Sequence, residues 1–345
     1  MSTNAAWRFP SPGAGISALR KVSESRPTPE PHQYLVRIRA VSLNYRDVGI
    51  IAGGFVMPAK ENLILGGDLA GEIVEVGSSA TKFKVGDHVT SISNLEYYYG
   101  PLVGSFPALG RSVDGALQEY RAFDEMALIR SPSYLSYEEL SCFPIAGVTA
   151  WTALLGGSSP LRPGQTALLQ GTGGVSMFGL QIARAAGAKT VITSSSDEKL
   201  ELAKKLGATH VVNYKKTPAW DEEVKRVTNG VGAHQIIDIV GVSEIERCFG
   251  AVAYGGTINS LGVVGGISSS KLVNVPLLAM KTGSQLRGTV IGPKQHFEEL
   301  LAFAEVHEIR PYISKIFEFG QVPEAFEYLK SGQHFGKVVV RIGSE

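Results

Sequence analysis

Cysteine is nearly missing: Cys142 and Cys248 are the two in 345 residues. No disulfide framework can be built from them. A reducing compartment is the simple expectation, with both thiols as ordinary buried side chains. No apolar run reaches the roughly 20 residues that a membrane-crossing helix needs. Charge of one sign is lacking too, with 33 Lys and Arg against 32 Asp and Glu, a net charge of +1. No basic stripe stands out, so nucleic acid is a poor expectation as a partner. Met1 to Ala14 holds no basic stretch followed by an apolar one. A secretory leader is therefore not expected, and a cytoplasmic location is. Internal repeats and low-complexity linkers are also missing.

What is present is a chain too long for one small core and 44% hydrophobic, as soluble two-domain proteins are. Up to residue 145 the pattern is one of short β-like runs, such as Tyr34–Ser42, Leu69–Val76 and Asp87–Ile92, punctuated by Gly and Pro. That predicts a small, strongly bent sheet or barrel. From Gln165 the pattern changes. Strands are expected at Thr166–Gln170, Thr190–Thr193, His210–Asn213, Gln235–Val240 and Gly256–Leu261. Helices are expected between them at Val175–Ala186, Glu198–Leu206, Trp220–Thr228 and Val242–Ala253. Such alternation predicts a doubly wound parallel sheet. Beyond Gly288, helices near His296–His307 and Pro323–Lys330 and strands near Ile313–Phe319 and Lys337–Ile342 make a tail too short for a domain, expected to pack back onto the N-terminal part.

The strongest local signal is Gly171-Thr172-Gly173-Gly174-Val175-Ser176, which follows a predicted strand and opens a predicted helix. Gly171 permits the tight turn, and Gly173 lets backbone approach a pyrophosphate at the positive helix N-terminus. Ser176 stands where the dinucleotide pattern wants its third glycine. Sites for NAD place a carboxylate about 20 residues past the first glycine. This chain has Ser194, Ser195 and Ser196 there, with Lys199 one turn on. Hydroxyls and an ammonium suit a 2′-phosphate, so NADPH is the expected cofactor. Asp197 is expected in the first turn of the following helix, where a carboxylate is favourable. The serines also fit helix capping.

Asn44-Tyr45-Arg46-Asp47, Gly66-Gly67-Asp68-Leu69-Ala70-Gly71-Glu72, Lys84-Val85-Gly86-Asp87-His88-Val89, the Gly171 loop and Gly336-Lys337-Val338-Val339-Val340 follow one another along the chain. In these motifs and their order the chain resembles the medium-chain dehydrogenase/reductase superfamily, in particular its zinc-independent quinone oxidoreductase and enoyl reductase branch. The resemblance implies an α/β fold: a GroES-like β-rich catalytic domain from residues 1–145 and 288–345, and a Rossmann NADP(H)-binding domain, a doubly wound parallel sheet, from 146–287. It implies a substrate cleft between them and a homodimer. It implies cofactor contacts from Gly171, Thr172, Gly173, Gly174 and Val175. Ser194, Ser195, Lys199 and Tyr214 would bind the 2′-phosphate, with Thr149 and Leu261, Gly262 and Val263 near the nicotinamide.

In zinc-dependent members three positions carry a Cys, His, Cys set. The matching residues are Asn44, Gly67 and Ile145, and no cysteine lies between Gly86 and Gly115 for a structural lobe. No metal is expected, since zinc needs three or four thiolate, imidazole or carboxylate donors. Asp68 and His88 are expected to be structural. Without a Lewis acid, the chemistry best served is one whose product anion is delocalised. Hydride addition to an enone gives an enolate, and to a quinone a hydroquinone anion. Hydrogen-bond donors at the oxygen then suffice, each worth roughly 3 kcal/mol when well placed. Asn44 and Tyr45 are the candidate catalytic donors, Tyr45 also a candidate proton source. Arg46, Tyr97 and Phe106 are candidate substrate-pocket residues, and Asp47 is expected to orient the loop. Phe55 stands roughly where mitochondrial-type enoyl reductases have a tyrosine. The alternatives are a zinc-free alcohol dehydrogenase or ketoreductase and, in another class, a non-catalytic NADPH-binding structural protein.

Overall fold

The computed structural model describes residues 3–104, 106–262, 264–266 and 272–343. Val263, expected beside the nicotinamide, lies outside the described residues. The chain divides into two compact units. One takes the described residues up to Ala146 together with those from Pro293 onward, and the other is Gly147–Gly292. Among the described residues no helix is long and apolar enough to cross a membrane.

The first unit is built on the strand Gln33–Leu43. It pairs antiparallel with Ala70–Val76, with Tyr120–Asp124 and with the C-terminal strand Lys337–Arg341. The sheet goes on through His88–Ser91 to Leu128–Arg130 at one end and reaches Ile313–Glu318 at the other. A second small sheet places Thr3–Phe9 between Arg20–Ser25 and Leu63–Ile64. The tail joins this unit through specific bonds. Trp7 Nε1 donates to the Phe319 carbonyl at 2.8 Å, and the Tyr134 hydroxyl to the Ile309 carbonyl at 2.8 Å. Gly336 is glycine because φ is +73° and a β-carbon would run into the Tyr312 carbonyl oxygen.

The second unit holds six parallel strands: Thr166–Gln170, Lys189–Ser194, His210–Asn213, Ala233–Asp238, Val252–Ser260 and Gln285–Gly288. Numbered in that sequence, their spatial order is 3-2-1-4-5-6, the doubly wound arrangement whose direction reverses between the first and fourth strands. All five residues of Thr166–Gln170 are buried, as a strand covered on both faces requires. Leu168, Val191, Ile236 and Ile258 from four neighbouring strands meet in one core with Trp220 and Phe249. Burial pushes the Cys142 thiol of the first unit up to about 12 and raises Cys248 in the second, so both thiols are inert side chains.

Two departures from the expected elements have plain causes. The helix expected from Val242 begins at Ile245, because the chain leaving Asp238 first makes a side-chain turn. The Val240 and Gly241 N–H groups donate to Asp238 Oδ1 at 3.0 and 2.9 Å. The sixth strand and the helix Val275–Thr282 before it carry no usable pattern. The strand, Gln-Leu-Arg-Gly, is largely exposed, and the helix buries none of its residues.

Leu168 is wholly buried at the centre of the second unit's core. Leu168→Ala should cost about 2–5 kcal/mol of that unit's stability. The check is the shift of its urea midpoint, followed by hydrogen exchange on the parallel strands.

Candidate active site

The nucleotide loop stands at the sheet's reversal point. Gly171 has φ +73°, its N–H donates to the Thr193 carbonyl at 2.8 Å, and a β-carbon there would sit 3.0 Å from Ile239 Cδ1. Gly173 caps the helix Gly174–Ala185, and nothing lies within 4 Å of its missing side chain. The free N–H groups of the helix's first turn therefore border open space, the cradle an anion uses. Ser176 turns its hydroxyl inward, donating to the Gln170 carbonyl at 2.6 Å. The close helix–strand approach expected of a third glycine is made one turn later, at Gly179, where a β-carbon would lie 3.0 Å from Leu169 Cδ2. Thr172 is buried beside the loop. Thr149 is buried in the helix Val148–Leu154 of the same unit. Leu261 donates its N–H to the Asp238 carbonyl at 2.8 Å, and a β-carbon at Gly262 would meet the Ile239 carbonyl oxygen at 2.7 Å.

At the end of the second strand, backbone and capping bonds link the segments that carry Ser194, Ser195, Lys199 and Tyr214. The Ser194 hydroxyl accepts from the Ser196 N–H at 3.3 Å, and the Ser196 hydroxyl accepts from the Lys199 N–H at 3.3 Å. The Tyr214 N–H donates to the Ser194 carbonyl at 3.2 Å, leaving the ring exposed. Ser195 is exposed. Burial lowers the Lys199 ammonium below its ordinary range. Asp197 opens the helix Asp197–Lys205. Hydrogen bonds from Lys216 Nζ at 2.5 Å and Asn213 Nδ2 at 2.6 Å hold its carboxyl below the usual range.

The first unit holds a buried polar cluster. Lys337 begins the C-terminal strand and is 4% exposed. Its ammonium donates to the Leu43 carbonyl and to Asn44 Oδ1, each at 2.8 Å, and lies 3.4 Å from Asp68 Oδ2. Asn44 Nδ2 donates to Asp68 Oδ2 at 2.8 Å, and the Ser42 hydroxyl donates to the same oxygen at 2.7 Å. Burial pushes the Asp68 and Asp47 carboxyls above the ordinary carboxylate range, while Lys337 draws Asp68 back and Arg46 draws Asp47 back. The Asn44 amide, expected to donate outward, is thus largely taken up. One hydrogen is held by Asp68, and the other meets the Ser42 carbonyl at a long 3.4 Å.

After Asn44 the chain turns into the helix Tyr45–Ile51, with Asp47 accepting from the Asn44 N–H at 3.0 Å. Tyr45 is 54% exposed. Arg46 points the other way: its side chain is 15% exposed, Nη2 donates to the Leu109 carbonyl, and Nε lies 3.6 Å from Asp47 Oδ1. A β-carbon at Gly67 would overlap Arg46 Nη2 and lie 2.6 Å from Arg46 Cζ and 2.8 Å from Ile145 Cδ1. Phe106 sits beside Arg111, whose guanidinium is 5.0 Å from the ring centroid. Tyr97 is half-buried and accepts the Lys294 N–H at 2.8 Å.

Residues 30–133 match the model of the alcohol dehydrogenase GroES-like domain, and residues 174–305 that of the zinc-binding dehydrogenases. A zinc-type alcohol dehydrogenase-like protein of Schizosaccharomyces pombe is 40% identical over 90% of this chain and 91% of its own. The chain belongs to the medium-chain dehydrogenase/reductase superfamily. As a member it is an oxidoreductase. A quinone oxidoreductase of Pseudomonas aeruginosa is 29% identical over 90% of this chain and 92% of its own. The solved structure of a putative alcohol dehydrogenase from Sinorhizobium meliloti superposes with TM-score 0.88 at 34% identity, covering 99% of both chains.

The superfamily's catalytic zinc does not fit the residues present. Its three ligand positions hold an amide, a glycine and an isoleucine: Asn44, Gly67 and Ile145. Arg46 and Ile145 fill the side-chain space at Gly67. Asp68 is already bonded to Asn44, Ser42 and Lys337, and His88 stacks on Tyr137 with ring centroids 4.6 Å apart. Among the described residues no three of His, Cys, Asp and Glu gather to hold a metal.

Lys337 was not anticipated as a site residue. The signal for it was a lysine opening an otherwise apolar strand, Lys337-Val338-Val339-Val340. Lys337→Met leaves the buried Asp68 without its cation and should cost about 3–5 kcal/mol. Adding Asp68→Asn should return much of that loss. Urea denaturation of the two variants beside the parent chain measures both effects.

Proposed function

We propose that the protein is an NADPH-dependent reductase of activated C=C bonds or quinones that works without a catalytic zinc. The observation that carries this is the first unit's polar site, where the Asn44 amide is bonded to Lys337 and Asp68 and the Arg46 guanidinium fills the side-chain space at Gly67. When bound, the cofactor supplies a hydride. The loop from Gly171 to Val175, including Thr172, Gly173 and Gly174, would hold its pyrophosphate. Ser194, Ser195, Lys199 and Tyr214 would hold the 2′-phosphate, with Asp197 kept away by Asn213 and Lys216. Thr149, Leu261, Gly262 and Val263 are the residues proposed for the nicotinamide end.

An acceptor that becomes an enolate or hydroquinone anion spreads its charge and needs only hydrogen-bond donors and a fixed cation nearby. Asn44 serves mainly by fixing Lys337 and Asp68, with its loosely held second hydrogen left for a ligand. The exposed Tyr45 hydroxyl is the group proposed to pass a proton. Phe106 and Tyr97 supply apolar wall. The second reading, a zinc-free alcohol dehydrogenase or ketoreductase, is favoured by the names of the S. pombe and S. meliloti relatives. One solved structure, titled an NAD-dependent alcohol dehydrogenase, superposes with TM-score 0.89 at 29% identity. A homodimer is also proposed. The edge strand Gln285–Gly288 pairs on one side within the chain, and Leu286, Met280 and Val290 are 42%, 73% and 55% exposed around it.

Two expected outcomes test these readings. NADPH oxidation should be fast with enones or quinones and slow with saturated ketones; turnover of saturated ketones alone defeats the acceptor assignment. Tight NADPH binding with no turnover on any acceptor points to the non-catalytic alternative. For the cofactor, Lys199→Ala should weaken NADPH about 10-fold, the worth of one charge-assisted hydrogen bond, and leave NADH within about twofold. Fluorescence titration with both nucleotides measures it.

A further inference from the structure

The guanidinium of Arg46 occupies the side-chain space at Gly67, one of the three positions that the resemblance matches to metal ligands. A β-carbon there would overlap it and would also lie 2.8 Å from Ile145 Cδ1. No side chain larger than hydrogen fits at position 67 while Arg46 stays where it is. Five N–H groups belong to a guanidinium. Arg46 spends one on the Leu109 carbonyl, and among the described residues its buried Nε has no hydrogen-bond partner, with Asp47 Oδ1 3.6 Å away.

The charges around it do not balance. Arg111 is 6% exposed and among the described residues bonds to carbonyl oxygens, those of Pro58 at 3.1 Å and Phe106 at 2.8 Å. The charged group Arg111 feels is Arg46, which together with burial lowers its guanidinium below the ordinary range. Asp47 stands against Arg46 and Asp68 against Lys337, while Arg111 meets carbonyl oxygens. Buried charge without a counter-charge is costly, so a negative group beside Arg46 and Arg111 would be favoured.

We propose that Arg46 takes over the metal's task, binding the acceptor's oxygen as negative charge forms there, and that Gly67 is glycine to make room for it. This rests on the reductase reading above. A bound reduced nicotinamide would supply the hydride pair for a new C–H bond at the acceptor's β-carbon; the C=C pair would then shift toward the carbonyl, and the Arg46 guanidinium would face the oxygen that takes the charge. A proton passed by the Tyr45 hydroxyl, which water replaces, would then complete the product. Arginine holds its own proton throughout. The acceptor class is therefore one with a carbonyl or carboxylate oxygen conjugated to the reducible bond.

The experiment pairs turnover of an enone, cinnamaldehyde, with equilibrium binding of an anion, benzoate, and its neutral isostere, benzamide, to the NADPH-loaded protein. Arg46→Gln should lower kcat by roughly 10²–10³-fold, the loss seen when an oxyanion donor is removed. It should also weaken benzoate but not benzamide, with the NADPH dissociation constant unchanged. Arg46→Lys should keep part of both effects. Gly67→Ala, which alters no charge, should lose as much as Arg46→Gln because it displaces the guanidinium. Added guanidinium ion should restore some activity to Arg46→Ala. If folded Arg46→Gln or Gly67→Ala binds benzoate and turns over like the parent, the assignment is overturned and Arg46 is a structural group. If the parent reduces no enone but loses benzoate on Arg46→Gln, the reductase reading fails and the anion site stands.

Discussion

A buried ammonium ties the two ends of the first unit together. Lys337 brings the end of the chain to Leu43, Asn44 and Asp68, residues nearly three hundred positions earlier. Taking an ammonium and a carboxylate out of water costs several kcal/mol each, returned only when each finds its partners. The strand that carries Lys337 pairs Val338 with Leu43 and Val339 with Ser42. A slip of one residue would turn Lys337 to the opposite face and strand Asp68. Register and ion pair therefore enforce one another. The same cluster fixes Asn44, and Asn44 with Asp47 fixes the turn that aims Arg46 inward and leaves Tyr45 outward.

The second unit has another logic. Its order comes from a parallel sheet covered on both faces, with the polar work done by turns at the strand ends. Asp238 is its deepest carboxylate, pushed upward by burial and held by the Val240 and Gly241 N–H groups and the Ser260 hydroxyl. It shapes the turn beyond the fourth strand, next to the Gly171 loop in the sheet order. Gly171 and Ser176 do the same for the first strand. The chain ends that matter for a dinucleotide are thus fixed by short-range chemistry.

That difference explains what could be read from the sequence. Thr166–Gln170 matches its expected bounds because a fully buried parallel strand shows as an apolar run, and His210–Asn213, half-buried at the sheet's edge, is marked by its Val-Val pair. The Ser194–Lys199 turn was legible because capping and carboxylate position are local. Lys337 and Arg111 were not, since their meaning depends on partners brought together by the fold: Asp68 for one, Arg46 for the other. Gly67 could be recognised as a missing ligand but not as a seat for another residue's guanidinium. The Val275–Thr282 helix and its following strand were hidden because exposed apolar residues leave no one-sided pattern.

A guanidinium and a metal ion are not equivalent poles, and the difference bears on the reaction. A metal lowers the pKa of a bound hydroxyl and so handles both charge and proton. Arginine holds its proton at any working pH and offers only charge and hydrogen bonds in a fixed plane. A saturated alkoxide, which must be protonated as it forms, is poorly served by such a group. A delocalised enolate survives long enough to take its proton from solvent. The exposed Tyr45 stands one residue before the half-buried Arg46, so this short helix presents a hydroxyl to water and a guanidinium toward the interior. Separating the two functions on adjacent residues is what an acceptor with a delocalised anion permits, and an alkoxide-forming one does not.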